Sequence, residues 1–362
     1  MKLAILVGTR PEIIKLSPLI KRVYANDFFE PVFIHSGQHY DEGMSQRFLD
    51  ELKLPAPDYN LEIGSGSHAE QVAKSITRLE SVLRECRPDL FLVHGDTNTT
   101  LGGALAACKM NIPVAHVEAG LRSFDRTMPE EINRTLVDHV SDMLFAQSDG
   151  AMQNLRNEGI TEGSYLTGNT IVEACLENLE LAEKSDILER INRGKFILLT
   201  LHRQENTNDE RRLRGILVGI SEIDHDILYP IHPRAKKALQ GWGIELPSNV
   251  NEIEPLGYLD FLKLMSKARL VMTDSGGIQE EAAVINVPCL TIRENTERPE
   301  TVDVGANILA GVQSDAIVEN ANKILHSASF EEKMRSAPNP YGDGKASERI
   351  ISAMIDKFRA GD

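Results

Sequence analysis

Short apolar runs alternate with longer amphipathic segments along most of the chain. The short runs predict β-strands, and the longer segments space their apolar residues as one face of a helix does. In the first half the predicted strands are Lys2–Val7, Pro31–His35, Asp89–His94, Pro113–Val117, Asp142–Ala146 and Tyr165–Thr167. The helical segments between them include Ile13–Tyr24, Ala69–Cys86 and Leu101–Met110. Continuous apolar strands separated by helices are typical of a parallel sheet covered on both faces.

The alternation is interrupted once, where a single long helix is predicted from Thr170 to about Asn192. A second series of strands then begins. Its members are Lys195–Leu201, Asp226–Ile231, Asn249–Ile253, Arg269–Thr273 and Pro288–Ile292. We therefore predict an α/β fold of two Rossmann-like domains whose parallel sheets face each other across a cleft.

The predicted domains are residues 1–169 and residues 170–344. The chain closes with a predicted helix, Ala346–Ala360, which we expect to pack back on the first domain as part of residues 345–362.

The charge of the chain and its cysteines indicate which partners and which compartment to expect. The 362 residues carry a formal net charge of -15. Because nucleic acid and anionic membranes require a basic face, we expect neither as a partner. The four cysteines are scattered and form no CxxC pair, which indicates buried thiols in a reducing compartment.

The apolar run at the N-terminus is too short for a signal peptide, and no run reaches the ~20 residues of a membrane span. We expect a cytoplasmic protein.

Parallel sheets bind ligands beyond the carboxyl ends of their strands, so the residues that follow each strand are the candidates for a site. The first strand is followed by GTRPEIIKLSP, which places Arg10 and Lys15 near a helix start. A helix N-terminus with added cations favours an anion. The alternative is a surface arginine and a solvated lysine.

Two consecutive strands end in His-x-acid. HGDTNTT contains His94 and Asp96, and HVEAGLRS contains His116 and Glu118. Neighbouring strands would place both acids on one edge of the sheet, as either a metal cluster or an acid/base pair. Asp96 could instead cap the following helix.

A third acidic segment, MPEEINR, places Glu130 and Glu131 at a predicted helix start. There they either complement the helix dipole or, if Glu130 turns inward, add a third carboxylate to the site.

The second half supplies groups suited to a diphosphate. His202 follows a strand in HRQEN, and Ser275, Gly276 and Gly277 follow another in TDSGGIQEEAA, ahead of a helix expected to begin at Ile278. A glycine-containing turn before a helix can cradle phosphate. Glu281, one turn further on, could accept both hydroxyls of a ribose. RENTERPET adds Arg298 at another possible helix start.

Taken together, seven segments resemble the non-hydrolysing UDP-N-acetylglucosamine 2-epimerases, in the same order and over about 300 residues. They are GTRPEIIKLSP, HGDTNTT, HVEAGLRS, PEEINR, HRQEN, TDSGGIQEEA and TERPE. The resemblance implies a GT-B-like fold, a homodimer, no cofactor or metal, and reversible conversion of UDP-GlcNAc to UDP-ManNAc.

The resemblance also implies roles for individual residues. The catalytic carboxylates would be Asp96, Glu118 and Glu130. His202 would act both in the UDP site and in catalysis, through the leaving diphosphate. The substrate-binding residues would be Arg10, Lys15, Phe261, Ser275, Gly276, Gly277, Glu281 and Arg298.

Two departures from the family pattern limit this transfer. Leu256 stands where many relatives have glutamine, so no role is carried to it. In SGQHYDEGM, Gln38 and His39 are followed by Tyr40 and Asp41 instead of the arginine of relatives that bind a second substrate molecule as activator. Activation by substrate is therefore not carried over.

Other functions remain open at this point. They are a metal-dependent hydrolase, a GT-B glycosyltransferase, an epimerase acting on a UDP-diacetamido sugar, a hydrolysing epimerase that releases ManNAc, and a non-catalytic protein that binds UDP-sugars.

Overall fold

The computed structural model describes residues 1–37, 49–192 and 194–359. The chain divides into two compact units. The first contains Met1–Ala174 and Tyr341–Asp362, and the second contains Cys175–Pro340.

The first unit is built on a parallel sheet of seven strands in the order β3-β2-β1-β4-β5-β6-β7. The strands are β1 Lys2–Val7, β2 Glu30–His35, β3 Tyr59–Asn60, β4 Leu90–His94, β5 Val114–Ala119, β6 Met143–Ala146 and β7 Ser164–Leu166. Strands β1, β4 and β5 are buried along nearly their whole length. This explains why they appear in the sequence as continuous apolar runs.

Helices cover this sheet. They are α1 Arg10–Tyr24, α2 His68–Cys86, α3 Asn98–Lys109, α4 Pro129–Val140, α5 Asp149–Asn157 and α6 Ile171–Ala182, the last of which continues into the second unit. Side-chain caps define several of the starts. Ser67 caps α2 by accepting from the amide of Glu70, and Thr97 caps α3 by accepting from the amide of Thr100 at 3.2 Å.

The second unit repeats this plan with a six-stranded parallel sheet in the order β10-β9-β8-β11-β12-β13. The strands are β8 Ile197–Thr200, β9 Ile227–Pro230, β10 Val250–Ile253, β11 Leu270–Thr273, β12 Cys289–Thr291 and β13 Asn307–Leu309. In each sheet the strand order reverses beside its first strand, between β1 and β4 and between β8 and β11. Ligands of open α/β sheets bind at such points.

The helices of the second unit are α7 Ile187–Ile191, α8 Gln204–Thr207, α9 Glu210–Ser221, α10 Pro233–Trp242, α11 Tyr258–Lys267, α12 Gly276–Val284, α13 Pro299–Asp303, α14 Ser314–His326 and α15 Ala328–Arg335. The final helix, α16 Ala346–Arg359, belongs to the first unit and packs against α1. Its start is held by Glu173, which accepts from the amide and the hydroxyl of Ser347.

The prediction of two α/β domains with parallel sheets is confirmed, and every predicted strand lies within about two residues of an observed one. The predicted long helix from Thr170 to Asn192 is wrong, because α6 and α7 are separated by a turn at residues 183–186. The helix expected from Ile278 begins instead at Gly276, with Ser275 as its N-cap. The short edge strands β3 and β13 were not predicted. Among the described residues, no helix is long and apolar enough to cross a membrane.

Candidate functional site

The predicted residues of the first unit lie where its sheet reverses strand order. Arg10 is the exposed first residue of α1, just after β1. Asp96 follows β4 and is half-buried. The loops after these two strands flank the position at which an open α/β sheet binds its ligand.

Glu118 has an unusual backbone. It lies near the end of β5 with a φ of 71°, at a shift in the pairing register between Val117 and Ala119. A residue other than glycine pays roughly 1–2 kcal/mol for the left-handed region, and such strain concentrates at functional sites. The bulge accounts for the way the carboxylate leaves the sheet at this strand end.

Lys15 forms an ion pair with Glu118. The ammonium contacts Oε2 of the carboxylate, and both side chains are at least nine-tenths buried. This ion pair lies at the edge of the sheet beyond β1 and β5. Lys15 is therefore not the solvated lysine that the sequence left open.

His94 faces the same carboxylate. Its Nε2 lies 3.6 Å from Oε2 of Glu118, and its side chain is buried. The pKa of His94 is lowered to about 4, chiefly by burial and also by the charges of Lys15 and His116, although Glu118 and Asp96 oppose the shift. The ring is therefore neutral at neutral pH.

Asp96 is paired with Arg134 of α4. Its Oδ2 accepts from Nε at 3.1 Å and from Nη2 at 2.5 Å. Asp96 is not the helix cap, because Thr97 fills that position. Asn133 also donates to the backbone carbonyl of Asp96 at 2.9 Å. The loop after β4 is thus positioned by two neighbouring side chains of one helix.

The two glutamates at the start of α4 have different environments. Glu131 is buried and accepts from the backbone amides of Ser123 and Phe124, both at 2.9 Å. Glu130 is half-buried, and within the described parts of the chain its carboxylate has no hydrogen bond or ion pair. Glu131 organises the loop, whereas Glu130 takes no part in holding it among the described residues.

His116 is turned away from this group. Its Nδ1 lies 2.7 Å from Oδ1 of Asp138, and its Nε2 lies 2.8 Å from the carbonyl of Gly95. Arg122 also donates to Asp138, at 2.7 Å, and pairs through two nitrogens with Glu158. In the described segments no group of three or more His, Cys, Asp or Glu side chains is arranged to hold a metal ion. His116 and Arg122 therefore support the fold behind the site.

Glu12 was missed by the sequence analysis. It is buried and accepts from the amides of Gly8 and Thr9 at 2.7 and 2.6 Å, and from the hydroxyls of Thr97 and Thr100 at 2.9 and 3.2 Å. Burial raises its pKa, although these hydrogen bonds act in the opposite direction. Glu12 connects the loop that carries Arg10 to the loop that carries Asp96. The Thr-x-x-Glu capping box was the available signal.

In the second unit, Asp274 organises the ends of two strands. This fully buried residue follows β11 and accepts from the amides of His202 and Arg203, both at 2.9 Å, and from Nδ2 of Asn206 at 3.0 Å. It was not singled out from the sequence, although an acid directly after a buried strand was visible there. Its role is to hold the loop after β8 beside the start of α12.

The His202 side chain is about one-third exposed, at 32%. Its pKa is lowered because burial disfavours the charged ring and because Arg203 and Arg234 are nearby, despite the opposing charge of Asp274. The ring is therefore predominantly neutral at neutral pH, which suits a hydrogen-bond donor to a phosphate oxygen.

Ser275, Gly276 and Gly277 form the N-terminal turn of α12. The first amides of a helix have no intrahelical partner, so this turn can bind an anion. The two glycines differ. A Cβ on Gly276 would lie 2.6 Å from Oε1 of Glu297, whereas a Cβ on Gly277 would meet no protein atom within 4 Å. The space beside Gly277 is open.

Arg298 forms a buried ion pair with Glu280, whose Oε1 lies 2.5 Å from its Nε. The adjacent Glu297 is held by Arg203 at 3.1 Å and by Arg293 at 2.7 Å. Arg298 is thus fixed by its own partner.

Glu281 of α12 interacts with Tyr258 of α11. The buried Tyr258 hydroxyl is close enough to the Glu281 carboxylate to feel its charge, and it lies 4.0 Å from Sγ of Cys175. Burial raises the pKa of Tyr258, and the charge of Glu281 adds to the effect. Phe261, also on α11, is half-buried. Tyr258, the first residue of α11, was not singled out from the sequence.

The structure brings Lys15, Asp96 and Glu118 to one edge of the first sheet. In the second unit it brings His202 and the Ser275–Gly277 turn to the corresponding edge of the second sheet. Gln38 and His39, with Tyr40 and Asp41, lie outside the described residues.

The family model described as UDP-N-acetylglucosamine 2-epimerase matches residues 21–355 of the chain. A protein of Methanocaldococcus jannaschii named UDP-N-acetylglucosamine 2-epimerase is 50% identical over 365 residues, covering 97% of this chain and 98% of the relative. The chain belongs to the UDP-N-acetylglucosamine 2-epimerase family. This agrees with the resemblance of the seven sequence segments.

Solved structures of the epimerase family share the fold. A crystal structure of the M. jannaschii UDP-GlcNAc 2-epimerase in complex with UDP-GlcNAc and UDP matches with a TM-score of 0.92 at 49% identity, covering 98% of this chain and all of that one. A glycosyltransferase of Phytolacca americana, complexed with a UDP-sugar analogue, matches with a TM-score of 0.64 at 13% identity, covering 99% of both chains. At that identity the likeness concerns the GT-B-like fold alone.

The epimerase family also contains enzymes named for a different sugar. A Pseudomonas aeruginosa protein named UDP-2,3-diacetamido-2,3-dideoxy-D-glucuronate 2-epimerase is 40% identical over 356 residues, covering 97% of this chain and 98% of the relative.

Proposed function

We propose that this protein reversibly epimerises UDP-N-acetylglucosamine at C2 to UDP-N-acetylmannosamine without hydrolysis. The observation that carries the proposal is Glu118, a buried carboxylate on strained backbone at the carboxyl edge of the first sheet, next to the strand that leads to Asp96. Membership of the epimerase family and the M. jannaschii relative support the choice of substrate.

The difficulty of the reaction explains the need for carboxylates. The C2–H of the sugar is not activated by a carbonyl, so direct removal of the proton would be very slow. If the C1–O bond breaks first and UDP leaves with its electron pair, the oxocarbenium-like centre acidifies C2–H. Loss of that proton gives 2-acetamidoglucal. Protonation of C2 on the opposite face and return of UDP to C1 give the epimer.

The first unit would supply the charge and the proton transfer. Carboxylates stabilise a cationic sugar, as in glycosidases, and acid and base groups on the two faces exchange the proton. Asp96, Glu118 and Glu130 are the candidates. We assign Asp96 to stabilisation of charge, because Arg134 already holds both its position and its Oδ2. Lys15 and Arg10 would bind the substrate.

The second unit would hold UDP as substrate and as leaving group. The free amides at the start of α12, with His202 and Arg298, would stabilise the departing diphosphate. Glu281 would accept from the ribose hydroxyls, and Phe261 would contact the nucleotide. The open space beside Gly277 supports close approach of a phosphate.

The wider setting of the proposal follows from the chemistry and the family. We propose a homodimer that works in the cytoplasm without a cofactor and whose product supplies ManNAc units to a surface or cell-wall polysaccharide. UDP-sugars are cytoplasmic donors, and both substrate and product of this reaction are such donors.

Proton and phosphorus NMR of the purified protein with UDP-GlcNAc in D2O, with a chelator present, tests the activity. We expect UDP-ManNAc with deuterium at C2. Glu118→Gln should abolish the exchange while keeping the affinity for UDP, because the amide cannot take up the proton. Free ManNAc together with UDP would instead indicate a hydrolysing enzyme.

A second candidate substrate is a UDP-2,3-diacetamido uronic acid, which the P. aeruginosa relative favours. The same NMR experiment with that sugar distinguishes the two. Exchange at C2 of the uronic acid, with none for UDP-GlcNAc, would reassign the substrate and keep the mechanism. Transfer to an added acceptor without exchange at C2 would indicate a glycosyltransferase.

A further inference from the structure

His94 is a buried histidine to which the proposed mechanism gives no role. It ends β4, its side chain is 4% exposed, and neither ring nitrogen has a hydrogen-bond partner among the described residues. A buried polar group without a partner typically costs about 1–3 kcal/mol, so its retention in this position calls for an explanation.

The position of the ring supplies one. Its Nε2 lies 3.6 Å from Oε2 of Glu118, which is too long for a hydrogen bond. Lys15 contacts the same oxygen. An ionised Glu118 is therefore stabilised by the lysine, and an imidazole whose proton is on Nδ1 has no proton at Nε2 to offer it.

The situation changes when Glu118 takes up a proton. A carboxylic acid is a hydrogen-bond donor, and a neutral imidazole in the tautomer with its proton on Nδ1 has its acceptor at Nε2. A contraction of less than 1 Å would bring the new O–H and Nε2 into hydrogen-bond range, roughly 2.7 Å. His94 is thus placed to stabilise the protonated form of Glu118, the form that the Lys15 charge disfavours.

We propose that His94 is a positioning residue that accepts a hydrogen bond from Glu118 whenever that carboxyl carries the C2 proton of the sugar. The inference rests on the proposed function. In the step concerned, the C2–H bond breaks as an O–H bond forms on Glu118, and the C2–H electrons form the double bond of the glycal. The proton stays on Glu118, and His94 remains neutral.

The ring must be neutral to accept, and its surroundings keep it so. The charged or titratable groups that act on it are Glu118, Lys15, His116 and Asp96, and burial is the largest influence. Burial lowers the pKa of His94 to about 4, so the acceptor nitrogen is available throughout the neutral range.

Two amide substitutions of His94 test the roles of its two ring nitrogens separately. Glutamine places its terminal atoms near the position of Nε2, where an amide oxygen can accept from Glu118. Asparagine places them near Nδ1, out of reach. We expect His94→Gln to keep most of the activity and His94→Asn to lose on the order of tenfold in kcat, because one hydrogen bond made in the reacting state is lost. Affinity for UDP should stay unchanged in both.

The pH profile of kcat/KM, measured in both directions, gives the decisive readout. Without the acceptor, protonated Glu118 is less stable and the group is a weaker base. In His94→Asn the acid limb should move to lower pH in the direction in which Glu118 removes the proton. The basic limb should move to lower pH in the direction in which it delivers the proton. His94→Gln should restore both limbs.

Equal activity and equal pH profiles for the two variants would overturn the proposal. A loss of kcat in His94→Asn with both limbs of the pH profile unmoved would also overturn it, because that result indicates a merely structural role for His94. If His94→Asn does not fold, the comparison of His94→Gln with wild type decides, since an unaltered position of the limbs is required. Failure of the proposed function is distinguishable, because the wild-type protein would then exchange no deuterium into C2 of UDP-GlcNAc.

Discussion

The Lys15 ammonium and the Glu118 carboxylate form a buried ion pair at the carboxyl edge of the first sheet. The two residues are separated by 103 positions in the chain and are brought together by α1 and the bulged end of β5. The pair fixes the side chain that we propose to exchange a proton with the sugar. A buried pair of this kind is costly to break, because removal of one partner leaves the other charge without compensation.

Lys15→Met should therefore destabilise the protein by about 3–5 kcal/mol, measured by urea unfolding at neutral pH. The double variant Lys15→Met/Glu118→Gln is the matched control, since it removes both charges. It should recover much of the loss. If the double variant is as unstable as the single one, the loss of stability comes from the lost packing of the lysine side chain. It then does not come from the uncompensated charge of the buried Glu118 carboxylate.

The stability of the protein should depend on His94 at mildly acidic pH. The ordinary pKa of histidine, 6.5, falls to about 4 in the folded protein through burial. Above pH 6.5 the ring is neutral in both states. As the pH falls from 6.5 towards 4, the unfolded chain binds a proton that the native state does not, so stability is lost. Below about pH 4 the loss is complete.

This shift corresponds to roughly 3 kcal/mol. The free energy of unfolding of wild type should fall by that amount more than that of His94→Gln between pH 7 and pH 4, because glutamine does not titrate. Other groups titrate equally in both proteins and cancel in the difference. Parallel curves would show that the ring is already protonated, or solvated, in the native state.

Gly276 and Gly277 should respond differently to alanine. In Gly276→Ala the new methyl group meets Glu297 at 2.6 Å, so thermal stability and UDP affinity should both fall. In Gly277→Ala the methyl group meets no protein atom, so thermal stability should not fall. If the diphosphate occupies that space, UDP affinity should decrease by at least tenfold, measured by calorimetry, because the methyl group blocks close approach of the phosphate. Unchanged UDP affinity in Gly277→Ala would remove this turn from the proposed site.

Tyr258 should act on ribose recognition through Glu281. The tyrosine hydroxyl is beside the Glu281 carboxylate, which we propose accepts from the ribose. Tyr258→Phe should weaken UDP binding by roughly 2- to 12-fold, since one polar contact that helps to orient the carboxylate is worth about 0.5–1.5 kcal/mol. The affinity for 2′-deoxy-UDP should change less, because that ligand has one hydroxyl fewer for Glu281 to orient. An equal loss for both nucleotides would indicate that Tyr258 supports packing only.

Much of the fold was predictable, because strands buried on both faces leave continuous apolar runs in the sequence. The failures have identifiable causes. Edge strands such as β3, Tyr59–Asn60, are too short to leave a pattern. The turn between α6 and α7 contains Lys184, Ser185 and Asp186, which are compatible with an exposed helix face, so periodicity did not reveal the break.

The site was predictable only in part. That acids follow two consecutive strands is visible in the sequence, and the strand order of a Rossmann-like sheet places them at one edge. The sequence does not show which of Glu130 and Glu131 accepts hydrogen bonds from the loop, because a glutamate is equally favourable at either position of a helix start. The structure separates them through the two amides that Glu131 accepts from.

The sequence by itself determined the order of the longer strands, the two-domain α/β plan and the family, because these depend on periodicity and on residues near one another in the chain. Only the tertiary structure decided that Lys15 neutralises Glu118, that Arg134 holds Asp96, that His116 turns away and that His94 faces a carboxylate. Each of these contacts joins residues at least 22 positions apart. Such contacts follow from strand register, from one bulge at Glu118 and from burial, and none of these leaves a local pattern in the chain.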